Sequence, residues 1–372
     1  MKRLLYISFN DLNPSAGVSK KIVDQVSAFR NNGIETNLLA IHTKNGKRTA
    51  NIDEIELLEI NRGLIGKIQI GMLYKKIAMY VETEKVDTLY IRYTQTADPF
   101  YLKFLRKCKL YGCRILLEIP TYPYEGEFTG QSASLKAQII VERLFRNGLR
   151  NYVDYVVTTS DYSEILGIQT IKISNAVNAS KIPLAIKEHA TSGRINLISV
   201  ATISFWHGLD RIIRGMAIYY SKGAAREVHL TIIGGGDKKT LHEVLDLIET
   251  SKMQSHIDYV GPKQGKELDS YYEKADLAVG CLACHRKNIV EVKSLKNVDY
   301  AMRGLPMFYS ESNSDFDQMP YVLRVPADDS PIDINALVEF VDKLKVTPGE
   351  IRKSVSHLTW DEQIKKVIKS VC

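Results

Sequence analysis

The stretch "INLISVATISFWHGLDRIIRGMAIYYSKGAAREVHLTIIGGG", residues 195–236, decides the fold. INLISVA (195–201) is a continuous apolar run, the pattern of a strand buried on both faces rather than one. Residues 208–222 then carry apolar side chains at helical spacing, and HLTIIGG (229–235) is a second run of the first kind. Strands without alternation, separated by helices, indicate a parallel sheet covered on both sides.

The pattern extends in both directions. Downstream come a helix at 238–251, IDYVG (257–261), a short helix at 266–274, LAVGCL (277–282), a helix after Ser294, and LPMFYS. Upstream the chain begins a separate series: LLYIS (4–8), a helix ended by Gly33, TNLLAI (36–41), a helix near 66–84, DTLYIR (87–92), a helix around 99–110, CRILLEI (113–119), a helix near 132–150 and YVVTTS (155–160). A polar segment, 179–195, separates the two series. The expected fold is α/β, with two Rossmann-like doubly wound domains facing a cleft.

At 372 residues the chain exceeds what one core usually serves. Its 45% hydrophobic and 25% charged residues are those of an ordinary globular protein. No apolar run is long enough to span a bilayer, and MKRLLYISFN reads as a first strand rather than a signal peptide. The five cysteines form no disulfide-like framework, which points to a reducing, cytoplasmic compartment. Cys281-x-x-Cys284 lacks the further ligands of a metal site and reads as small apolar residues at a strand end. The net charge of +7 is concentrated at the start: residues 1–180 hold 24 Lys/Arg and 18 Asp/Glu, the remainder 26 and 25. That asymmetry suits anionic partners. No nucleic-acid-binding module accompanies it, which excludes nucleic acid.

Glycine turns follow the first strand of the chain, at Ala16-Gly17, and HLTII, at Gly234-Gly235-Gly236. Either is a phosphate loop or a plain tight turn, and neither fits the dinucleotide fingerprint. The stretch "EVKSLKNVDYAMRGLP", 291–306, is more specific. Ser294 reads as the N-cap of a helix closed by Gly304, at the carboxyl end of a strand where open α/β sheets bind ligands. Backbone amides at 294–296 and Lys296 suit a phosphate there, Asp299 suits ribose hydroxyls and Glu291 reaches toward a sugar. Spacing alone leaves a solvated helix face with paired charges equally open.

Glu291, seven intervening residues, Asp299 and then Ala301-Met302-x-Gly304-x-Pro306 resemble the E-x7-E signature of retaining GT-B glycosyltransferases of the family 4 type, with Asp299 in place of the usual second Glu. SNAVNASKI (174–182), LISVATISFWHGLDRII, LTIIGGGDKKTL and IDYVGPKQGKELDSYYEKADLAV resemble further elements of that family in order. His285-Arg286-Lys287 with Leu295-Lys296 resembles its capsule and surface-polysaccharide branch. The final segment, HLTWDEQIKKVIKSVC, resembles the C-terminal helix that returns to the N-terminal domain, anchored by Trp360.

The resemblance implies an N-terminal acceptor domain (1–180, joined by helix 357–372), a linker (181–194) and a nucleotide-sugar donor domain (195–356). Glu291 would be catalytic, orienting the donor sugar. Asp299 would bind ribose, Ser294, Leu295 and Lys296 the diphosphate, Gly261 the base edge, and Gly17 would form the phosphate loop of the first domain. Donor and acceptor, a glycan or lipid-linked glycan, are the implied partners, with no cofactor and no obligatory metal. Two departures stand out. Thr202 and His207 occupy positions where the family commonly has diphosphate-binding Arg and Lys, which leaves Arg286, Lys287, Lys293 and Lys296 to supply that charge. The acceptor-side His is missing after CRILLEI, where Thr121, Tyr122, Tyr124, Glu125 and Glu127 stand instead. These losses keep a catalytically silent partner subunit open, and a nucleotide-sugar epimerase is the other alternative. Trp206 is expected to pack beneath its loop. Helices near 64–82 and 135–150 mix apolar residues with Lys and Arg, so core packing and peripheral association with the inner face of a membrane both fit them.

Overall fold

A computed structural model describes residues 1–13, 17–44, 46–61, 63–124, 133–185 and 193–371. The chain divides into two compact units, Met1–Ser174 with Trp360–Cys372, and Asn175–Thr359.

In the first unit the elements run β1 (Arg3–Asp11), α1 (Gly17–Asn31), β2 (Glu35–Lys44), β3 (Lys47–Ile52), β4 (Ile55–Glu59), α2 (Gly63–Thr83), β5 (Thr88–Arg92), α3 (Pro99–Leu110), β6 (Arg114–Glu118), α4 (Ala133–Phe145), β7 (Tyr155–Thr158), β8 (Glu164–Ile165) and β9 (Ile168–Lys172). They form one sheet of order β4-β3-β2-β1-β5-β6-β7-β9-β8. The middle is parallel, while β2-β3-β4 and β8-β9 are antiparallel edges. Those edges escape the sequence reading because only alternate residues of β3 are buried, Ala50 and Ile52. Asp53 and Glu54 make the two-residue turn between β3 and β4, with Asp53 at φ 47°. Leu5 and Ile7 of β1 pack with α2 and α3, while Tyr6 between them reaches Gln25 of α1.

The second unit contains β10 (Ile195–Val200), α5 (Leu209–Ser221), β11 (Val228–Ile233), α6 (Lys238–Thr250), β12 (Ile257–Tyr259), α7 (Gly265–Tyr272), β13 (Leu277–Val279), α8 (Leu295–Met302), β14 (Met307–Tyr309), β15 (Val322–Arg324), α9 (Ile334–Lys343) and α10 (Pro348–Ser354). Its sheet is wholly parallel, in the order β12-β11-β10-β13-β14-β15. Helices α5, α6 and α9 bury one face of that sheet, and α7, α8 and α10 the other. The last helix, α11 (Trp360–Val371), rejoins the first unit, where it packs on α1. Trp360 is buried there, with Lys21 Nζ 5.2 Å from its ring centre.

The expected unit boundaries shift. The first unit closes at Ser174, not 180, because residues 175–185 are fastened to the second: Ala185 N–H bonds the Arg303 carbonyl (2.8 Å), and Arg352 donates to the carbonyls of Ala179 and Ile182 (both 2.9 Å). Residues 357–359 also stay with the second unit, so the returning segment begins at Trp360 rather than 357. Within the expected linker, 186–192 lie outside the described residues, as does Ala16.

The Gly234-Gly235-Gly236 turn is a packing device. A Cβ on Gly234 (φ +135°) would sit 1.8 Å from the Ala201 carbonyl oxygen, and one on Gly236 would sit 2.3 Å from that of Ile203. The loop after β10 is thereby laid against the loop after β11, with Ile203 N–H bonded to the Gly235 carbonyl at 2.6 Å. Gly235 has open space around it. Gly234→Ala should therefore destabilise the protein by about 3 kcal/mol in denaturant melts, the upper range for overpacking a tight site. Gly235→Ala should stay within about 0.5 kcal/mol of the parent.

Candidate active site

Strands whose connections leave toward opposite helical layers open a crevice at their carboxyl ends. In the second unit this switch falls between β10 and β13, so residues 201–208, 280–294 and the start of α8 share one edge. All the expected site residues except Gly17 and Gly261 come from these three segments. Gly17 is the first residue of α1 in the other unit and is exposed. Gly261 (φ +70°) follows β12, and its carbonyl accepts the Gly234 N–H at 3.0 Å.

Glu291 is exposed, forms an isolated parallel bridge with Ser312, and accepts a hydrogen bond from Ser314 Oγ (3.1 Å). Ser294 takes the N-cap position of α8 in extended conformation, but its hydroxyl caps nothing. The helix start therefore keeps the open amide donors of an uncapped first turn. Leu295 packs its side chain against the core, so its contribution to a ligand is its backbone alone.

Asp299, expected at a ribose, is only 26% exposed at its side chain and already engaged. Tyr272 O–H and Arg303 Nε both donate to its Oδ2, at 2.9 and 3.2 Å. Arg303 also donates to Asp269 Oδ1 (2.7 Å) and lies 3.9 Å over the Tyr272 ring. Burial and the Asp299 charge push the Tyr272 hydroxyl well above its ordinary pKa, so it stays a donor.

The expected cations diverge. Arg286 does not remain available as a diphosphate ligand: its guanidinium takes both oxygens of Asp210 (each 2.9 Å), Asp329 Oδ1 (2.7 Å from Nε) and the Phe205 carbonyl (2.9 Å). The hydrogen bond to Asp210 leads in raising its pKa. Two carboxylates neutralise this cation, and it acts as a brace between loops. Lys287 lies 4.3 Å over the ring of half-buried Trp206, which packs beneath the loop as expected. Lys293 Nζ is 4.0 Å from Asp315 Oδ1, and its carbonyl accepts from Asn175 Nδ2 at 2.5 Å. Lys296 differs from all three. Its Nζ is buried and has no hydrogen-bond partner among the described residues.

His207 is 7% exposed and its Nδ1 accepts the Ser204 N–H (3.0 Å). Burial, reinforced by Lys296, lowers its pKa to about 2, so it cannot replace the charge of a lysine. Thr202 is exposed. Cys281 and Cys284 are free and buried beside Lys296. The Cys284 thiol donates to Cys281, which with Lys296 lowers the Cys281 pKa, so this strand end is more polar than expected. A cavity of about 240 Å³ beside Phe205, Thr240 and Glu243 lies against Asp210 and Arg286, and Lys296 is not part of its lining. Among the described residues, no group of three or more His, Cys, Asp and Glu is arranged to hold a metal ion.

On the first unit, Tyr124 is buried, donating to Glu142 Oε1 (2.7 Å), and Tyr122 packs edge-on to Tyr124 and Tyr162. Glu125 and Glu127 lie outside the described residues. Sequence reasoning missed a buried polar cluster at the carboxyl ends of β5 and β6. Glu118 is fully buried and meets Lys21 Nζ (3.0 Å) and Arg92 (3.1 Å). Burial alone would raise the Glu118 pKa, but the two cations hold it at about 2. A carboxylate inside the apolar run RILLE, opposite Lys21 on the buried side of α1, is the signal that would have found it.

No protein-family model matches the chain, and no curated protein matches its sequence. Solved structures do match its fold. A glycosyltransferase from Rickettsia africae is 12% identical, with TM-score 0.68 over 99% of this chain and 97% of its own. HepE of Anabaena, solved in complex with UDP, is 11% identical with TM-score 0.64 over 100% of both chains. The lipopolysaccharide outer core galactosyltransferase WaaB is 12% identical with TM-score 0.62, again over 100% of both. The fold is that of GT-B proteins, with two Rossmann-like sheets.

The neutral His207 makes a measurable difference in acid. An unfolded His binds a proton below its ordinary pKa of 6.5, whereas the folded His207 stays neutral down to about 2, so folding stability falls as pH drops through that window. His207→Gln should flatten the decline by up to about 1.4 kcal/mol per pH unit, read from urea melts between neutral and mildly acidic pH.

Proposed function

We propose that this chain is a retaining glycosyltransferase, moving a sugar from a nucleotide-diphosphate donor to a glycan or lipid-linked acceptor in surface-polysaccharide synthesis. The observation that carries this reading is the buried Lys296 Nζ, which among the described residues has the Cys281 sulfur beside it and no hydrogen-bond partner, at the uncapped start of α8 beside the switch between β10 and β13. A buried cation that no carboxylate of the described residues pairs with, next to open helix amides, suits a diphosphate. Complexes of HepE with UDP and with UDP-glucose support a nucleotide-sugar as the donor class. The E-x7-D spacing, with the surface-polysaccharide likeness of His285–Lys287 and Leu295-Lys296, supports the finer assignment.

In this reading Asp299 meets the ribose through the oxygen that Tyr272 and Arg303 leave open. Gly261 borders the base and Glu291 faces the donor sugar. The C1–O bond to the diphosphate breaks while the acceptor hydroxyl bonds C1 on the same face, and the hydroxyl proton passes to the leaving phosphate oxygen. Negative charge grows on the leaving group, where Lys296 and the α8 amides stand, so no metal ion is obligatory. No cofactor takes part. A silent partner subunit is the second reading, favoured by the ties on Arg286 and Asp299.

Association with the inner, cytoplasmic face of a membrane belongs to the same proposal. Among the described residues no helix is long and apolar enough to cross a membrane. Helices α2 and α4 nonetheless expose apolar residues: Ile65, Ile68, Met72 and Met79 on the first, Ile140, Val141 and Leu144 on the second. Lys75 and Lys76 on α2 and Arg143 on α4 are exposed as well. Apolar side chains flanked by basic ones suit an anionic lipid surface.

Calorimetric titration with UDP, GDP, ADP and CDP, without added metal, tests the donor site. One nucleotide should bind, and Asp299→Ala or Lys296→Ala should weaken it at least about tenfold, the loss of a hydrogen bond to a charged group. Binding without sugar transfer to any acceptor would select the silent subunit, and no binding would sink both readings. In sedimentation with vesicles containing anionic lipid, the wild type should pellet, and Ile68→Asp with Met72→Asp should leave the protein in the supernatant.

A further inference from the structure

Glu311 follows β14 by two residues and is 2% exposed, yet neither of its carboxyl oxygens has a hydrogen-bond partner among the described residues. A bare carboxylate in such a place is costly, and the usual escape is to keep the proton. Its surroundings supply further reasons. Cys281 and Cys284 face it from the loop after β13, Lys296 from α8, and Tyr309 precedes it on β14; His207 and Lys287 stand behind Lys296. Cys281 accepts a hydrogen bond from Cys284 and lies near the Lys296 charge, so sulfur is the better place for a negative charge. Lys296 and the backbone amides of Ser310 and Glu311 favour the Glu311 carboxylate, but burial and Cys281 outweigh them. Burial first, and Cys281 second, raise the proton affinity of Glu311 far above the ordinary.

The neighbouring groups are also unsatisfied. Lys296 Nζ lacks a partner, as do both amide atoms of Asn297, which is fully buried. Asn297 is lodged against Gly280, where a Cβ would come within 3.2 Å of its Oδ1. Buried groups left unpaired in this number, and adjacent, mark a place where a polar ligand completes the bonding.

We propose that Glu311 is a binding residue kept as a neutral acid, donating a hydrogen bond to a diphosphate oxygen of the nucleotide seated at Lys296, an assignment that rests on the donor reading above. Neutrality is what the position demands. A carboxylate there would repel the diphosphate, whereas a protonated carboxyl offers an O–H donor. Binding of the anion holds the proton in place more firmly still, so loss of that proton and loss of the nucleotide are linked.

Two measurements on the full chain test this. Infrared difference spectra of wild type against Glu311→Gln should show a protonated-carboxyl band at neutral pH that the variant lacks. A carboxylate band in its place overturns the proposal whatever the fate of the donor reading. Nucleotide affinity, with the base identified by titration, should fall by about tenfold per pH unit above the pH at which Glu311 ionises, as one linked proton requires. Glu311→Gln should remove that fall and bind within about threefold of wild type at neutral pH, whereas Glu311→Ala should bind roughly ten- to a hundredfold more weakly. If the wild type binds a nucleotide but Glu311→Gln loses affinity as Glu311→Ala does, or keeps the fall with pH, Glu311 is not the donor and the site reading survives. If the folded wild type binds none of the four nucleotides, both assignments fall together.

Discussion

The guanidinium of Arg211, fully buried on α5, has no water to turn to. It must find its acceptors in the protein, and it does so by drawing loops together: the carbonyls of Leu282, Ser330 and Pro326 and the Asp328 carboxylate all accept from it. Leaving such a charge unpaired would cost several kcal/mol, so the loop after β13 is committed to lie over the start of α5. Arg286 repeats the device one layer out, clasping Asp210, Asp329 and the Phe205 carbonyl. With these loops fixed, Cys281 and Glu311 are held buried just beyond the ends of β13 and β14, beside Lys296 of α8.

The same edge thus contains two kinds of charge. Arg211, Arg286 and Arg303 are matched by carboxylates or carbonyls of the protein and serve its architecture. Lys296 is buried with no carboxylate partner among the described residues, beside a helix start that its serine does not close. Arginine suits the first task because its planar fork fits several fixed acceptors at once, whereas a lysine offers one compact charge on a flexible stem.

Much of this was readable from the chain, and the residues say why the rest was not. Strands such as INLISVA and HLTII announce themselves because burial on two faces leaves no room for polar alternation. The edge strands β3 and β4 bury few residues and give no such signal. Glu291 and Asp299 stood out by spacing, since a strand–loop–helix unit fixes where such residues go. Arg286 read as a ligand because its partners, Asp210 and Asp329, are distant in sequence and converge on it only in space. Glu311 was overlooked for the opposite reason: in SESNSD it resembles any polar loop, and its isolation exists only once Ser310 has bonded the Cys281 carbonyl.

The return of α11 to the first unit bears on the order in which the chain is made. Helix α1 packs on α11, whose buried Trp360, Ile364 and Val367 are synthesised after the whole second unit. The second unit is therefore an insertion, with its own sheet and both helical layers lying in the chain between the two parts of the first. During synthesis α1 waits for its partner helix until residues 175–359 have been made.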